Sequence, residues 1–145
     1  MTPDRASYKK SSFGPAFLFL GKRRREALAV YYAFCRLMDD LADEPEVQDP
    51  EKELTFWQEE ISRAWAGQAQ TELGKELFEV AQAFGMEQDR FLLLIEGMRA
   101  DVQGRTYATL QELEWYLWRV AGIVGLATLD ILGVKGPQAQ TLARQ

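Results

Sequence analysis

Residues 27–44 read ALAVYYAFCRLMDDLADE, and the spacing within this stretch decides the fold. Ala27, Tyr31, Phe34, Met38 and Leu41 recur at intervals of three and four, the repeat of one buried face of an α-helix. A second line on the same helix carries Tyr32, Arg36, Asp39 with Asp40, and Asp43, so Asp39 and Asp43 point the same way one turn apart. Like charges at that spacing cost about 0.2–0.5 kcal/mol, and the negative end of the helix dipole adds to the cost. A hard divalent cation offsets both: Mg2+ takes oxygen ligands and is commonly held by one or two carboxylates together with substrate phosphates. Arg36, one turn before Asp39, can orient the carboxylates or meet phosphate with its planar fork. The plainer reading of these acids is a solvated helix end, but a solvated face has no reason to carry Tyr32 in the same line.

Working outward, the helix of this stretch runs from about Lys22 to Asp43 and stops before Pro45. Upstream, Ser11 or Ser12 caps a short apolar segment from Phe13 to Leu20. Downstream, Asp49 and Pro50 open a helix bearing Leu54, Trp57, Ile61 and Trp65, which Gly67 closes. A fourth helix spans Thr71 to Phe84, with Leu73, Leu77, Val80, Ala81 and Phe84 inward and Gly85 beyond its end. A fifth spans about Glu87 to Val102. The sixth starts at Thr109, which stands to Glu112 as T-x-x-E in a capping box, and continues to about Leu132, before Gly133, Gly136 and Pro137.

Composition agrees with an all-α chain. Leucine and alanine together number 35 against 11 valines and isoleucines in 145 residues, a ratio that favours helix formers over strand formers. The expectation is one helical domain over residues 1–145, of about six helices. With no histidine, Ser-His and Cys-His nucleophile systems and His-ligated zinc are excluded, and oxygen ligands are left for a metal. One cysteine, Cys35, permits no internal disulfide, and the N-terminus lacks the pattern of a signal peptide, so the expected setting is cytoplasmic. A net charge of −5 speaks against a nucleic-acid binder. Apolar runs fall short of a membrane span, the stretch from Ala121 to Val134 being broken by Asp130.

The sixth helix holds a second oddity, VAGIVG over residues 120–125. Interior glycines cost about 0.8–1 kcal/mol each relative to alanine. Either helices approach closely there or the small residues widen a groove for a long apolar ligand. Tyr116, Trp118 and Arg119 stand just before this segment, and Asp101 stands at the end of the fifth helix.

Three stretches together resemble the squalene and phytoene synthases, the head-to-head trans-prenyltransferases: Ser11-Ser12-Phe13 with Phe17, residues 31–44, and YLWRVAGIVG over residues 116–125. The resemblance covers the whole chain and implies the N-terminal half of an isoprenoid synthase-type helical bundle. It implies that Asp39 and Asp43 bind Mg2+ that holds a prenyl diphosphate, with Asp40 the weaker candidate in the same motif. Arg36 matches a diphosphate-contacting arginine, Tyr32 a tyrosine beside the reacting diphosphate, and Tyr116 a tyrosine at the reaction centre. Ser12 and Phe13 match the substrate entrance, Phe17 the prenyl pocket, and Val120, Ala121, Val124 and Gly125 the hydrocarbon tunnel.

The implied reaction condenses two prenyl diphosphates, farnesyl or geranylgeranyl, through a cyclopropyl intermediate. NADPH enters only if a squalene-type reduction follows. Family members continue into a second aspartate-rich motif, which these residues lack; Asp101 and Glu96, about 140° apart around a helix, form no second clamp in its place. The expectation is therefore a chain that needs a second polypeptide or its own missing half, that self-associates, and that touches a membrane peripherally because its substrate is oily. The competing expectation is a non-catalytic lipid-binding or protein-interaction protein of the same descent.

Overall fold

The computed structural model describes residues 21–134. Their regular structure is helical: α1 (Lys22–Asp43), α2 (Pro50–Trp65), α3 (Glu72–Phe84), α4 (Asp89–Val102), α5 (Leu110–Leu117) and α6 (Ile123–Leu132). A π-helical segment, Trp118–Gly122, joins α5 and α6 into one continuous helix. The helix expected over residues 13–20, and the stop signals Gly136 and Pro137, lie outside the described residues.

Local chemistry explains most boundaries. The Asp49 carboxylate accepts the Lys52 N–H at 3.1 Å, with Pro50 fitted into the first turn of α2. Thr71 Oγ1 accepts the Gly74 N–H at 2.9 Å to start α3, and Gly85 ends that helix in the left-handed region at φ 65°. Thr109 caps α5 by accepting the Glu112 N–H at 3.1 Å. The Glu112 carboxylate takes the N–H of Ala108 at 2.8 Å, one residue upstream of the donor that a reciprocal capping box would satisfy.

The core gathers on the apolar stripe of α1, all five of whose residues are buried. Helix α4 lies against α1, α2, α6 and the π segment. Phe34 and Phe91, both 0% exposed, meet edge-on at 5.6 Å, and Tyr31, Trp57 and Trp65 surround them. Such pairs contribute about 0.5–1.5 kcal/mol beyond area burial.

Two buried carboxylates tie helices together. Glu60, in α2, accepts Thr71 Oγ1 at 2.6 Å, Thr71 N–H at 2.7 Å, Gln70 N–H at 3.0 Å and Arg63 Nε at 2.9 Å, locking the α2–α3 connection. Burial alone would raise its carboxyl; these donors outweigh that and hold it below the ordinary value. Asp130 receives Arg90 Nε at 2.7 Å, while the Arg90 carbonyl accepts the Tyr31 hydroxyl at 2.9 Å, so α6, α4 and α1 are joined through one arginine. The residue that interrupts the apolar stretch in sequence is thus a partner in a buried ion pair.

The continuous helix over residues 110–132 departs from the sequence expectation in one respect. It is 23 residues long, with an 18-residue window apolar enough by composition to cross a membrane. Only 33% of that window is buried. The Arg90–Asp130 pair fixes its C-terminal part into the bundle.

Candidate functional site

Asp39 and Asp43 occupy the last turns of α1 and are exposed, with Asp40 half-buried beside them and Arg36 exposed one turn earlier. Tyr32 is half-buried one turn further back. The polar face expected from the sequence is therefore a surface, carried by a helix whose other face is core. The Asp39 carboxyl is pushed above its ordinary range by partial burial first and by Asp43 second; Arg36 partly offsets this, and Asp40 and Asp101 add to it. Its neighbourhood carries excess negative charge, which suits a cation. Two carboxylates one turn apart can serve as oxygen ligands to a divalent cation. Among the described residues no three acidic side chains converge to cage a metal unaided.

Cys35 sits under this face. Burial first, then Asp39, pushes its thiol up to about 12, with Tyr31 pulling the other way, so the thiolate needed for nucleophilic chemistry does not form near neutrality.

Asp101, which charge spacing along its own helix leaves isolated, belongs to this region. The Tyr116 hydroxyl donates to Asp101 Oδ2 at 3.0 Å, bridging α4 and α5. Burial first and this bond second raise the Tyr116 phenol well above its ordinary value, and Tyr107 and Asp43 add to the effect. Asp101 thus influences Asp39 while Asp43 influences Tyr116, so the acids of α1 and the Tyr116–Asp101 pair share one electrostatic neighbourhood. The Tyr107 ring lies 5.1 Å from that of Tyr116 and helps to fix it. No signal in the sequence pairs residues 101, 107 and 116, because the pairing depends on how the chain turns between α4 and α5. Glu96 pairs instead with Arg119, at 3.3 Å.

The π segment begins two residues after Tyr116. Such segments are rare and appear mostly at functional sites. Here close packing accounts for Gly122 and for Gly97 of α4. A Cβ on Gly122 would fall 2.2 Å from Trp118 Cε3, and one on Gly97 of α4 would fall 2.6 Å from Val120 Cγ1. Val120 and Val124 are half-buried against the core, Gly125 is half-buried and Ala121 is exposed. Leu110, Leu113 and Leu117, at 71%, 37% and 47% exposure, continue an uncovered apolar face along α5. Ser12, Phe13 and Phe17 lie outside the described residues. A groove of about 440 Å³ between α1 and α3, near Arg23, Glu26 and Glu76, lies at the opposite end of α1 from the acids.

Residues 7–145 match the profile of the squalene/phytoene synthase family. The chain belongs to that family. It is 33% identical over 130 residues to the 15-cis-phytoene synthase of Synechocystis sp., covering 89% of this chain and 38% of that protein. It is 32% identical over 139 residues to the presqualene diphosphate synthase of Rhodopseudomonas palustris, covering 92% and 50% respectively. The crystal structure of squalene synthase HpnC from Alicyclobacillus acidocaldarius superposes with a TM-score of 0.84 at 32% identity, over 97% of this chain and 52% of that one. The isoprenoid synthase helical fold expected from the sequence is therefore present, and the chain spans half or less of the length of these curated relatives.

Proposed function

We propose that this family member carries the diphosphate-binding part of a prenyltransferase that joins two prenyl diphosphates head-to-head through a cyclopropyl intermediate. The supporting observation is the convergence, from separate helices, of the Asp39 and Asp43 carboxylates with the Tyr116–Asp101 pair. In this reading Asp39 and Asp43 hold Mg2+, with Asp40 beside them, and the cation supplies charge neutralisation of the leaving diphosphate. Arg36 offers its guanidinium to the diphosphate oxygens, and Tyr32 stands beside them on the same face. Tyr116, whose hydroxyl is directed to Asp101, places its oxygen at the reaction centre. Val120, Ala121, Val124 and Gly125 form the hydrocarbon wall, and the family resemblance assigns Ser12 and Phe13 to the substrate entrance and Phe17 to the prenyl pocket. Apolar walls keep water from the allylic cation that diphosphate departure leaves behind. The substrates are farnesyl or geranylgeranyl diphosphate, and NADPH is needed only for a squalene-type second step.

The exposed leucines of α5 support self-association or a second polypeptide covering that face, and with the oily substrate they support peripheral contact with a membrane. Calorimetric titration of a non-hydrolysable farnesyl diphosphate analogue, with and without Mg2+, tests the reading alongside the mass in solution. Magnesium-dependent binding that is lost in Asp39→Ala and Asp43→Ala is expected. A folded chain that binds the analogue equally without Mg2+, or not at all, would favour the non-catalytic alternative.

A further inference from the structure

Two side chains and the segment that follows Tyr116 constrain what its oxygen can do. The hydroxyl proton points at Asp101 Oδ2, 3.0 Å away. The ring is held by Tyr107 at a centroid distance of 5.1 Å. The chain immediately beyond enters the π segment, whose Trp118 and Val120 are packed closely against Gly122 and Gly97. A phenol has one proton and two lone pairs. With the proton committed to a carboxylate, the oxygen can only accept in other directions, and the anionic partner enriches it in electron density.

We propose that Asp101 is a positioning residue: by taking the Tyr116 hydroxyl proton as a hydrogen bond, it presents the phenolic lone pairs, and not a donor, to positive charge developing beside the Asp39/Asp43 face. The inference rests on the prenyl diphosphate reading and deepens it, because it assigns to Tyr116 the work of stabilising a carbocation and denies it that of protonating the departing diphosphate. Asp101 acts through Tyr116, so removing it should matter only while Tyr116 carries its hydroxyl.

The test compares two probes by Mg2+-dependent binding to the full chain: farnesyl thiodiphosphate, and an ammonium-bearing prenyl amine with inorganic diphosphate, which imitates the cation and its departed leaving group. Wild type is expected to bind both. Asp101→Ala and Tyr116→Phe should each weaken the ammonium probe by about tenfold or more, as expected for loss of a hydrogen bond to a charged group, and leave the thiodiphosphate within about twofold. Asp101→Asn, which keeps an acceptor for the hydroxyl, should recover most of the loss. In the Tyr116→Phe background, Asp101→Ala should add nothing. An Asp101→Ala loss that persists in that background would mean that the carboxylate acts directly as a charge and would overturn the proposal, as would equal losses on both probes. Failure of wild type to bind the thiodiphosphate would remove the functional reading itself, and the inference with it.

Discussion

Asp39→Asn should make the protein more stable and its ligand response weaker, and the size of both effects follows from the geometry of α1. The substitution removes a like-charge contact with Asp43 one turn away and another with Asp40, and it relieves the desolvation of a carboxylate. It also forfeits the attraction of Arg36. With exposed i,i+4 contacts at about 0.2–0.5 kcal/mol, the balance is a gain of about 0.5 kcal/mol near neutral pH. For a domain of this size that is roughly 1–2 °C in Tm. The ligand term is larger and opposite: at a hundredfold excess over Kd a ligand stabilises by about 2.7 kcal/mol, or roughly 5–10 °C. Differential scanning fluorimetry of both proteins, with and without Mg2+ and farnesyl thiodiphosphate, reads the two together. The pH dependence supplies an internal check. Because folding raises the Asp39 carboxyl, its ionised form destabilises the folded state, and that penalty is fully present above the folded-state pKa. The advantage of the asparagine should therefore shrink as pH falls toward the ordinary aspartate range. A less stable variant at pH 7, or one that keeps the full magnesium-dependent shift, would refute the reasoning.

Other perturbations separate packing from chemistry. Glu60→Ala leaves the Arg63, Gln70 and Thr71 donors without their acceptor and should cost about 3–5 kcal/mol in urea denaturation, with analogue binding retained by the folded fraction. The stabilisation from Glu60, whose carboxyl folding lowers, should be complete above the ordinary glutamate pKa and fade as pH falls through the lower folded-state value, which acid titration by circular dichroism will show. Trp57→Ala should lose about 3–5 kcal/mol, since the indole is 6% exposed and packs on Phe34, while binding per folded molecule stays within about twofold. Gly122→Ala forces the Trp118 ring to move and should cost about 1–3 kcal/mol; a neutral result would show that the ring repacks freely.

What was legible in the sequence is what depends on neighbours along the chain. The limits of α1, the buried stripe from Ala27 to Leu41, the Asp49–Pro50 and Thr71 starts and the Gly85 stop all follow from periodicity and caps, and the structure places them there. The family was legible for the same reason, because its marks are short contiguous motifs. What escaped are pairings between distant helices. Asp130 reads as an intruder in an apolar run until Arg90 is seen beside it, forty residues away in the chain. Asp101 reads as a lone acid at a helix end until the chain turns back and sets Tyr116 against it. The π segment escaped differently: a five-residue widening leaves the hydrophobic period of a long helix nearly unchanged, and its sign is the steric demand of Trp118 on Gly122.

The helix over residues 110–132 reconciles these observations. A helix apolar on most sides is ordinarily a core helix or a membrane span, and this one is only one-third buried in its most apolar window. A free span through lipid would not aim a carboxylate at an arginine of a neighbouring amphipathic helix, yet Asp130 is 4% exposed and paired with Arg90. Nor would it need Gly97 on α4 to make room for Val120. One side of the helix is therefore bound to the bundle by an ion pair and close packing, and the other carries Leu110, Leu113 and Leu117 into the open. Tyr116, half-buried, and Ala121, exposed, stand on the same helix. An oily substrate and a covering polypeptide would draw on the same apolar surface, so the mass of the chain in solution and its affinity for a prenyl chain should be linked: ligand that fills the face competes with self-association, unless the partner copy completes the pocket and the two rise together.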